Sequence, residues 1–302
     1  MSALPSLRAK SSARRRRQAL IGAAYIAPSF ILMLIFNVVP IFLSAYFSFT
    51  KYNMAAPPQW IGLDNYAKLL SNRVLTEALR NTVKYVLITV PVQTALSLLI
   101  AAFIAERMKN RYGSLMRSII FIPVIVSLIA SATVWNIMYQ PKGGLINQLL
   151  NFLGFDSVNF LGKKAYALPS VAVVAIWKNT GYYMVIYYAG VMNVPPDVRE
   201  AAIVDGATPI QRFWYITLPI LKPITYMIVT LGIIGSFQVF DLVYKMTGGG
   251  PGRSTYTVAY VIYTFAFQDK NFGYASSVAI CLLIVILLIH MVQTLLFKEK
   301  DA

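Results

Sequence analysis

The sequence predicts an all-α membrane protein with six transmembrane helices, and three observations carry that prediction. Of the 302 residues, 58% are hydrophobic and only 13% charged, and the mean hydropathy is +0.62, outside the balance of water-soluble domains. Charge-free runs fall between Arg17 and Lys51, Lys84 and Glu106, Arg117 and Lys142, Lys164 and Asp197 (interrupted by Lys178), Lys222 and Asp241, and Lys270 and Lys298. Each supplies, or nearly supplies, the roughly 20 residues that a helix needs to cross hydrocarbon. The segments between them carry the aromatic and turn residues of an interface, as in Trp60-Ile61-Gly62-Leu63-Asp64-Asn65-Tyr66 and Thr247-Gly248-Gly249-Gly250-Pro251.

The elements follow in order. Residues 1–18 form a basic cytoplasmic tail in which Arg14-Arg15-Arg16-Arg17 abut the first span. A net charge of +16 raises the question of a nucleic-acid arm. The position of the arginine run instead fits lipid headgroups and membrane topology, because basic residues beside a first span hold that end in the cytoplasm. Span 1, near 19–48, is no cleavable signal, since its apolar run far exceeds a signal's ~7–15 residues and no small-residue cleavage site ends it.

An outer segment over 49–82, span 2 near 83–105 and a short inner loop lead to span 3 near 115–138. In the outer segment 139–166, Leu145, Leu149 and Phe152 share one face, which predicts a short amphipathic helix on the outer surface. Span 4 lies near 167–193, an inner segment follows, and span 5 lies near 223–245. An outer loop over 246–272 precedes span 6 near 274–297, and residues 298–302 return to the cytoplasm. With no internal repeat and no dividing linker, residues 19–297 form one domain, and both termini are cytoplasmic.

Several chemistries find no support. One cysteine, Cys281, and one histidine, His290, both in span 6, exclude an intramolecular disulfide and a multi-histidine metal site; both read as packing residues. The 11 acidic residues form no close pair at the centre of a span, so a membrane-embedded enzyme lacks its constellation. Thr247-Gly248-Gly249-Gly250-Pro251-Gly252-Arg253-Ser254 resembles a phosphate loop but has Thr for the first glycine and Arg for the lysine, on the outer side. Nucleotide must therefore be bound elsewhere.

The inner segment 197–219 is unusually well punctuated. Pro195-Pro196 ends span 4. Asp197 is placed to cap a new helix, with Glu200 three residues on as its capping-box partner. Ala201 and Ala202 flatten one face, and Gly206 provides a left-handed stop. Thr208, Pro209 and Gln211 then start a second helix, and Leu218-Pro219 and Pro223 mark the turn into span 5. A helix, a tight turn and a second helix with a flat face make a docking surface rather than an ordinary loop.

Glu200-Ala201-Ala202, Gly206 after three intervening residues, and Ile216-Thr217-Leu218-Pro219 after nine more resemble the EAA loop of ABC importer permeases without a mismatch. WIGLDNY after span 1, Trp177-Lys178-Asn179-Thr180-Gly181 and TGGGP are similar to the carbohydrate-importer permeases, and the likeness runs over residues 20–297. It implies a type I importer permease fold in which Glu200, Ala201, Ala202, Asp205, Gly206, Ile216, Leu218 and Pro219 form a coupling helix and its flank, seated on an ATPase. It further implies a second homologous permease, two ATPase subunits that hold ATP and Mg, and an extracytoplasmic sugar-binding protein. The setting is a prokaryotic plasma membrane. This chain would hold no cofactor, and its surroundings are lipid, not nucleic acid.

For the substrate path, Lys178 lies near the middle of span 4. A charge at that depth marks a functional site by default. Asn179, Tyr182 and Tyr183 follow, with amide and phenol groups suited to sugar hydroxyls and rings able to stack on a sugar face. Span 5 offers Phe237, Gln238, Phe240 and Asp241, with Gln238 and Asp241 on one side by helical spacing. The resemblance adds Gly181 and Ser236 to the path. Two readings of Lys178 stay open, a cavity lining and an ion pair with Asp241, and they are compatible. Gln93, Tyr187 and Tyr188 read as packing or interhelical hydrogen bonds. The competing class is a secondary transporter driven by an ion gradient, which would need membrane acids; Asp241 alone is a candidate.

Overall fold

The computed structural model describes residues 5–108 and 111–297, with side chains between 18 and 295 in those stretches. Part of the basic tail and all of 298–302 lie outside them. Helix α1 (Pro5–Met33) runs through a π-turn at Leu34–Val38 into α2 (Val39–Ser48). None of the most apolar part of Gln18–Ser48 is buried within the chain.

Two short strands, β1 (Thr50–Lys51) and β2 (Gln59–Trp60), pair antiparallel, and α3 (Asp64–Ser71) follows. The WIGLDNY stretch acts here as a stitch. Asn65 Nδ2 donates to Ser48 O and Thr50 O, each at 2.9 Å, and Tyr66 OH donates to Ser48 Oγ at 2.7 Å. The two Asn65 bonds satisfy backbone oxygens left where span 1 ends.

Helix α4 (Arg73–Arg107) is continuous over 35 residues. It begins well before the predicted 83 because its exposed first turns, with Arg73, Glu77 and Arg80, are polar helix that hydropathy does not register. Asn72 Oδ1 caps it, accepting from Val74 N at 2.9 Å and Leu75 N at 3.2 Å. Helices α5 (Arg111–Ile125) and α6 (Leu128–Met138) occupy predicted span 3 but meet at a 98° bend. Helix α7 (Leu145–Phe152) is the expected amphipathic helix. Leu145, Leu149 and Phe152 are exposed, and Asn147 is buried, donating to Gln140 O and Val158 O.

Helix α8 (Lys164–Met192) is the central element, packed on α4, α5 and α12 and buried along much of its length. The inner segment forms α9 (Pro196–Val204), α10 (Pro209–Arg212), a π-turn at Phe213–Thr217 and α11 (Leu218–Ile220). Helix α12 (Lys222–Phe237) leaves at 69° to the preceding Pro209–Ile220. The chain breaks at Gln238-Val239-Phe240 before α13 (Asp241–Met246), so predicted span 5 is not one helix. The predicted outer loop holds α14 (Val258–Tyr263) and a π-turn at Thr264–Gln268, with Val258, Tyr260 and Val261 buried. Its apolar run was too short to stand out as a span. Helix α15 (Phe272–Phe297) closes the chain against α2.

The helices do not map one to one onto the six expected apolar runs. Among the described residues, three helices are long and apolar enough by length and composition to cross a membrane singly, or up to five if each bent pair counts as one span. Helix α8 falls outside that class because Lys178, Asn179, Thr180 and Gly181 interrupt its apolar run. Burial among other helices takes the place of lipid around it.

Three apolar clusters hold the bundle. The first joins Tyr85, Ala172, Val174, Leu242 and Val243; the second, toward the inner segment, joins Ile104, Tyr183, Met184, Tyr187, Leu221 and Ile228. The third joins Leu69, Val258, Val261, Tyr274 and Val278, and half-buried Cys281 packs against it as expected, whereas His290 is exposed. Polar groups add interhelical bonds, each worth roughly 0.6 kcal/mol on average. Ser97 Oγ donates to Thr180 O at 2.9 Å, and Tyr187 OH to Thr225 Oγ1 at 3.1 Å.

Candidate functional site

The inner segment keeps its predicted order with one correction. Helix α9 starts at Pro196, with Pro195 as the preceding cap residue and no side-chain cap bond. Asp197 is therefore inside the first turn and not the cap. Pro196, with φ already fixed for the first helical position, sets the start, and Asp197 meets the positive end of the helix dipole instead. The end is as predicted. Gly206 has φ of 77°, its N–H donates to Ile203 O at 3.0 Å, and Ala207 N donates to Ala202 O at 2.9 Å. These two bonds close the helix with a left-handed cap that favours glycine.

Thr208 and Gln211 complete a capping box for α10. Thr208 N donates to Gln211 Oε1 at 2.8 Å, and Gln211 N donates to Thr208 Oγ1 at 3.3 Å. One long-range contact went unread in the sequence. Arg212 Nη2 donates to Glu106 Oε1 at 2.7 Å, while Nη1 donates to Ala207 O at 2.8 Å. Arg212 thus ties the turn after α9 to the last turn of α4. The signal available was an acid at the inner end of one span and a base on the next inner segment.

Glu200, Ala201, Asp205 and Gly206 are exposed, and Pro219 is exposed as well, while Ile216 and Leu218 are half-buried. Ala202 is buried, so the flat alanine face is divided. One alanine packs inward and the other, with the acids, points away. A neighbouring cleft of about 360 Å³ is lined by Phe103, Glu106, Ile210, Phe213 and Trp214 among others.

Within the bundle, Lys178 makes no ion pair with Asp241. Its Nζ donates to Pro123 O at 3.0 Å, to Val124 O at 3.3 Å and to Val126 O. These are the carbonyls freed where α5 ends at the 98° bend. A cation at a helix C-terminus satisfies the orphan oxygens and the negative end of the dipole together. Gly181, one turn on, sits against Ile120 O, where a side chain would collide with the α5 backbone. Both residues therefore seat the bent helix on α8.

The other path candidates divide by burial. Asn179 Nδ2 reaches Gln93 Oε1 at 3.4 Å, and Gly232 lies against the Gln93 amide. Ser236 is buried, sharing a 3.0 Å hydrogen bond with Thr89. Tyr183 is buried beside Tyr182, ring centroids 5.4 Å apart, and Tyr182 is exposed. Tyr188 stacks under the Arg117 guanidinium at 4.1 Å. Gln93, Tyr187 and Tyr188 are thus packing and interhelical groups, as expected.

Gln238 and Asp241 are exposed, but the expectation that helical spacing aligns them does not hold. The break at 238–240 separates them, and Thr257 Oγ1 donates to the freed Val239 O at 2.8 Å. Non-helical backbone at membrane depth is tolerated where protein groups satisfy it. The break places Phe240 among Tyr244 and Tyr263, with centroid distances of 5.3 Å and 5.0 Å. Sequence reading named Phe240 and missed its partners, since Tyr263 was assigned to a loop.

Residues 67–300 match the family described as binding-protein-dependent transport system inner membrane component. The trehalose/maltose transport system permease protein MalF of Thermococcus litoralis is 32% identical over 92% of this chain and 93% of its own length. The lactose transport system permease protein LacF of Rhizobium radiobacter is 30% identical over 96% and 98%. In structure, the chain resembles one in the bacterial alginate ABC transporter in complex with an alginate pentasaccharide-bound periplasmic protein. That likeness has a TM-score of 0.85 at 23% identity, covering 95% of this chain and 96% of that one, and it speaks for the fold.

Proposed function

From the premise that the chain belongs to the family of binding-protein-dependent transport system inner membrane components, we propose that it is a permease subunit of an ATP-driven importer for a sugar or oligosaccharide. Relatives named for trehalose/maltose and lactose transport support the cargo class. Family membership sets aside the gradient-driven carrier.

The observation that carries the mechanism is the inner segment. It presents Glu200, Ala201, Asp205 and Gly206 outward while Arg212 fastens its turn to α4. In this reading the segment docks on one of two ATPase subunits, which bind ATP and Mg, and a second homologous permease completes the pore. An extracytoplasmic binding protein delivers the sugar. Both termini and the docking segment lie in the cytoplasm of a prokaryotic cell. Tyr182, Gln238 and Asp241, with the Phe240 aromatic group, form the polar and stacking wall of the path. Lys178, Asn179, Gly181, Tyr183 and Ser236 position that wall from behind.

Gly206→Pro tests the relay. Proline fixes φ near −65° and removes an N–H, which is incompatible with the 77° φ and the bond to Ile203 O at this position. The expected result is an inserted, assembled chain with ATP hydrolysis no longer stimulated by sugar-loaded binding protein, and uptake reduced at least tenfold. Uptake at the wild-type rate would remove the segment from the mechanism.

A further inference from the structure

At the end of the bundle remote from the docking segment, α4, α8 and the loop after α13 enclose a cleft of about 470 Å³. Lys84 lies about 33 Å along α4 from Glu106, at 1.5 Å per residue. Lys84 and Lys164 both line the cleft, no carboxylate does, and neither lysine has an ion-pair partner among the described residues. Ser254 lines it as well, and its Oγ is shielded from solvent with no hydrogen-bond partner. The loop is fixed there by Asn81 Nδ2, which donates to Arg253 O at 3.0 Å and Tyr256 O at 3.1 Å.

The rest of the lining is apolar, and its order is informative. On α4, Leu87 lies one turn deeper than Lys84; on α8, Leu168 and Pro169 lie about one turn deeper than Lys164. Both helices enter the membrane in the same sense from this end, so both walls pass from ammonium to hydrocarbon over one turn. A sugar, which has no aliphatic tail to lie along Leu87 and Leu168, would be poorly matched to such a wall. A molecule with an anionic head and an aliphatic tail matches it.

We propose that this cleft binds an anionic phospholipid from the leaflet at that end. Its phosphate sits between the Lys84 and Lys164 ammonium groups, with the Ser254 hydroxyl donating to a phosphate oxygen and an acyl chain along Leu87 and Leu168. The inference rests on the membrane-spanning reading of the chain and is independent of the cargo. Each lysine near a membrane surface favours an anionic lipid by about fivefold.

The test uses the full importer complex, stripped of lipid in detergent and titrated with dioleoylphosphatidylglycerol or dioleoylphosphatidylcholine while native mass spectrometry counts bound lipid. Wild type should retain the phosphatidylglycerol in preference. The Lys84→Gln/Lys164→Gln double variant should bind it about 25-fold more weakly, and Lys68→Gln, exposed elsewhere on the same side, should bind as wild type. Equal retention of the two lipids by wild type, or undiminished binding by the double variant, overturns the proposal. So does displacement of the lipid by glucuronate or glycerol phosphate at millimolar concentration, which would make the cleft a site for soluble anions.

Discussion

Two cations hold two bends in this chain, and their surroundings differ in kind. Arg212 lies on the 197–219 segment, where its guanidinium meets the Glu106 carboxylate at 2.7 Å and the two side chains are 17% and 28% exposed. Lys178 lies inside the bundle, where its ammonium meets only backbone oxygens of Pro123, Val124 and Val126. Water shares the first load and screens it. The second is met by the ammonium directly, because the carbonyls at the end of α5 have no helical partner, and no carboxylate among the described residues stands beside it although Lys178 is only half-buried. The same type of residue is thus one half of an ion pair at one site and a helix-end cap at the other.

The largest expected effect follows from that difference. Lys178→Met removes the donor to all three carbonyls and should destabilise the detergent-solubilised complex by about 2–4 kcal/mol, read as a lowered Tm and a reduced yield of inserted protein. Lys178→Arg keeps the charge and should recover much of the loss. A Met variant as stable as wild type would show that the bend does not need its cap.

Arg212→Ala should cost less, about 1–2 kcal/mol, since a partly exposed ion pair and one charge-assisted bond to Ala207 O are lost. Its signature is functional. Uptake per ATP hydrolysed should fall two- to fivefold, and Glu106→Gln should reproduce the effect, with the double variant no worse than either single one. Fully additive losses would mean that the two side chains act separately. The smallest change is expected from Thr208→Ala, about 0.5–1 kcal/mol for an exposed cap. Faster hydrogen exchange confined to residues 208–212 would report it; unchanged exchange there would deny the cap any role.

Much of the inner segment was legible in the sequence because its determinants are local. Gly206, Thr208, Pro209 and Gln211 act on neighbours within four residues, and they sit as their spacing requires. Asp197 was misassigned for a local reason too, since Pro196 is a stronger start than the acid beside it. The membrane interior was less legible. That Lys178 meets the end of α5 depends on a 98° bend that no hydropathy profile registers, and α14 looked like a loop because a short buried helix needs no span-length run. Gln238 and Asp241 were aligned on a helix that breaks between them, as the donor that stabilises the break, Thr257, is remote in sequence.

The placement of α2 has a consequence for biosynthesis. Its main partner is α15, and the turn that follows it is held by the same late element, with Gly273 N donating to Tyr52 O at 3.1 Å. Ribosomes add about 5–20 residues per second, so α2 leaves the exit tunnel tens of seconds before α15 exists to receive it. A hydrophobic segment translated well before its partner is thus docked late, and until then lipid alone must keep it in place.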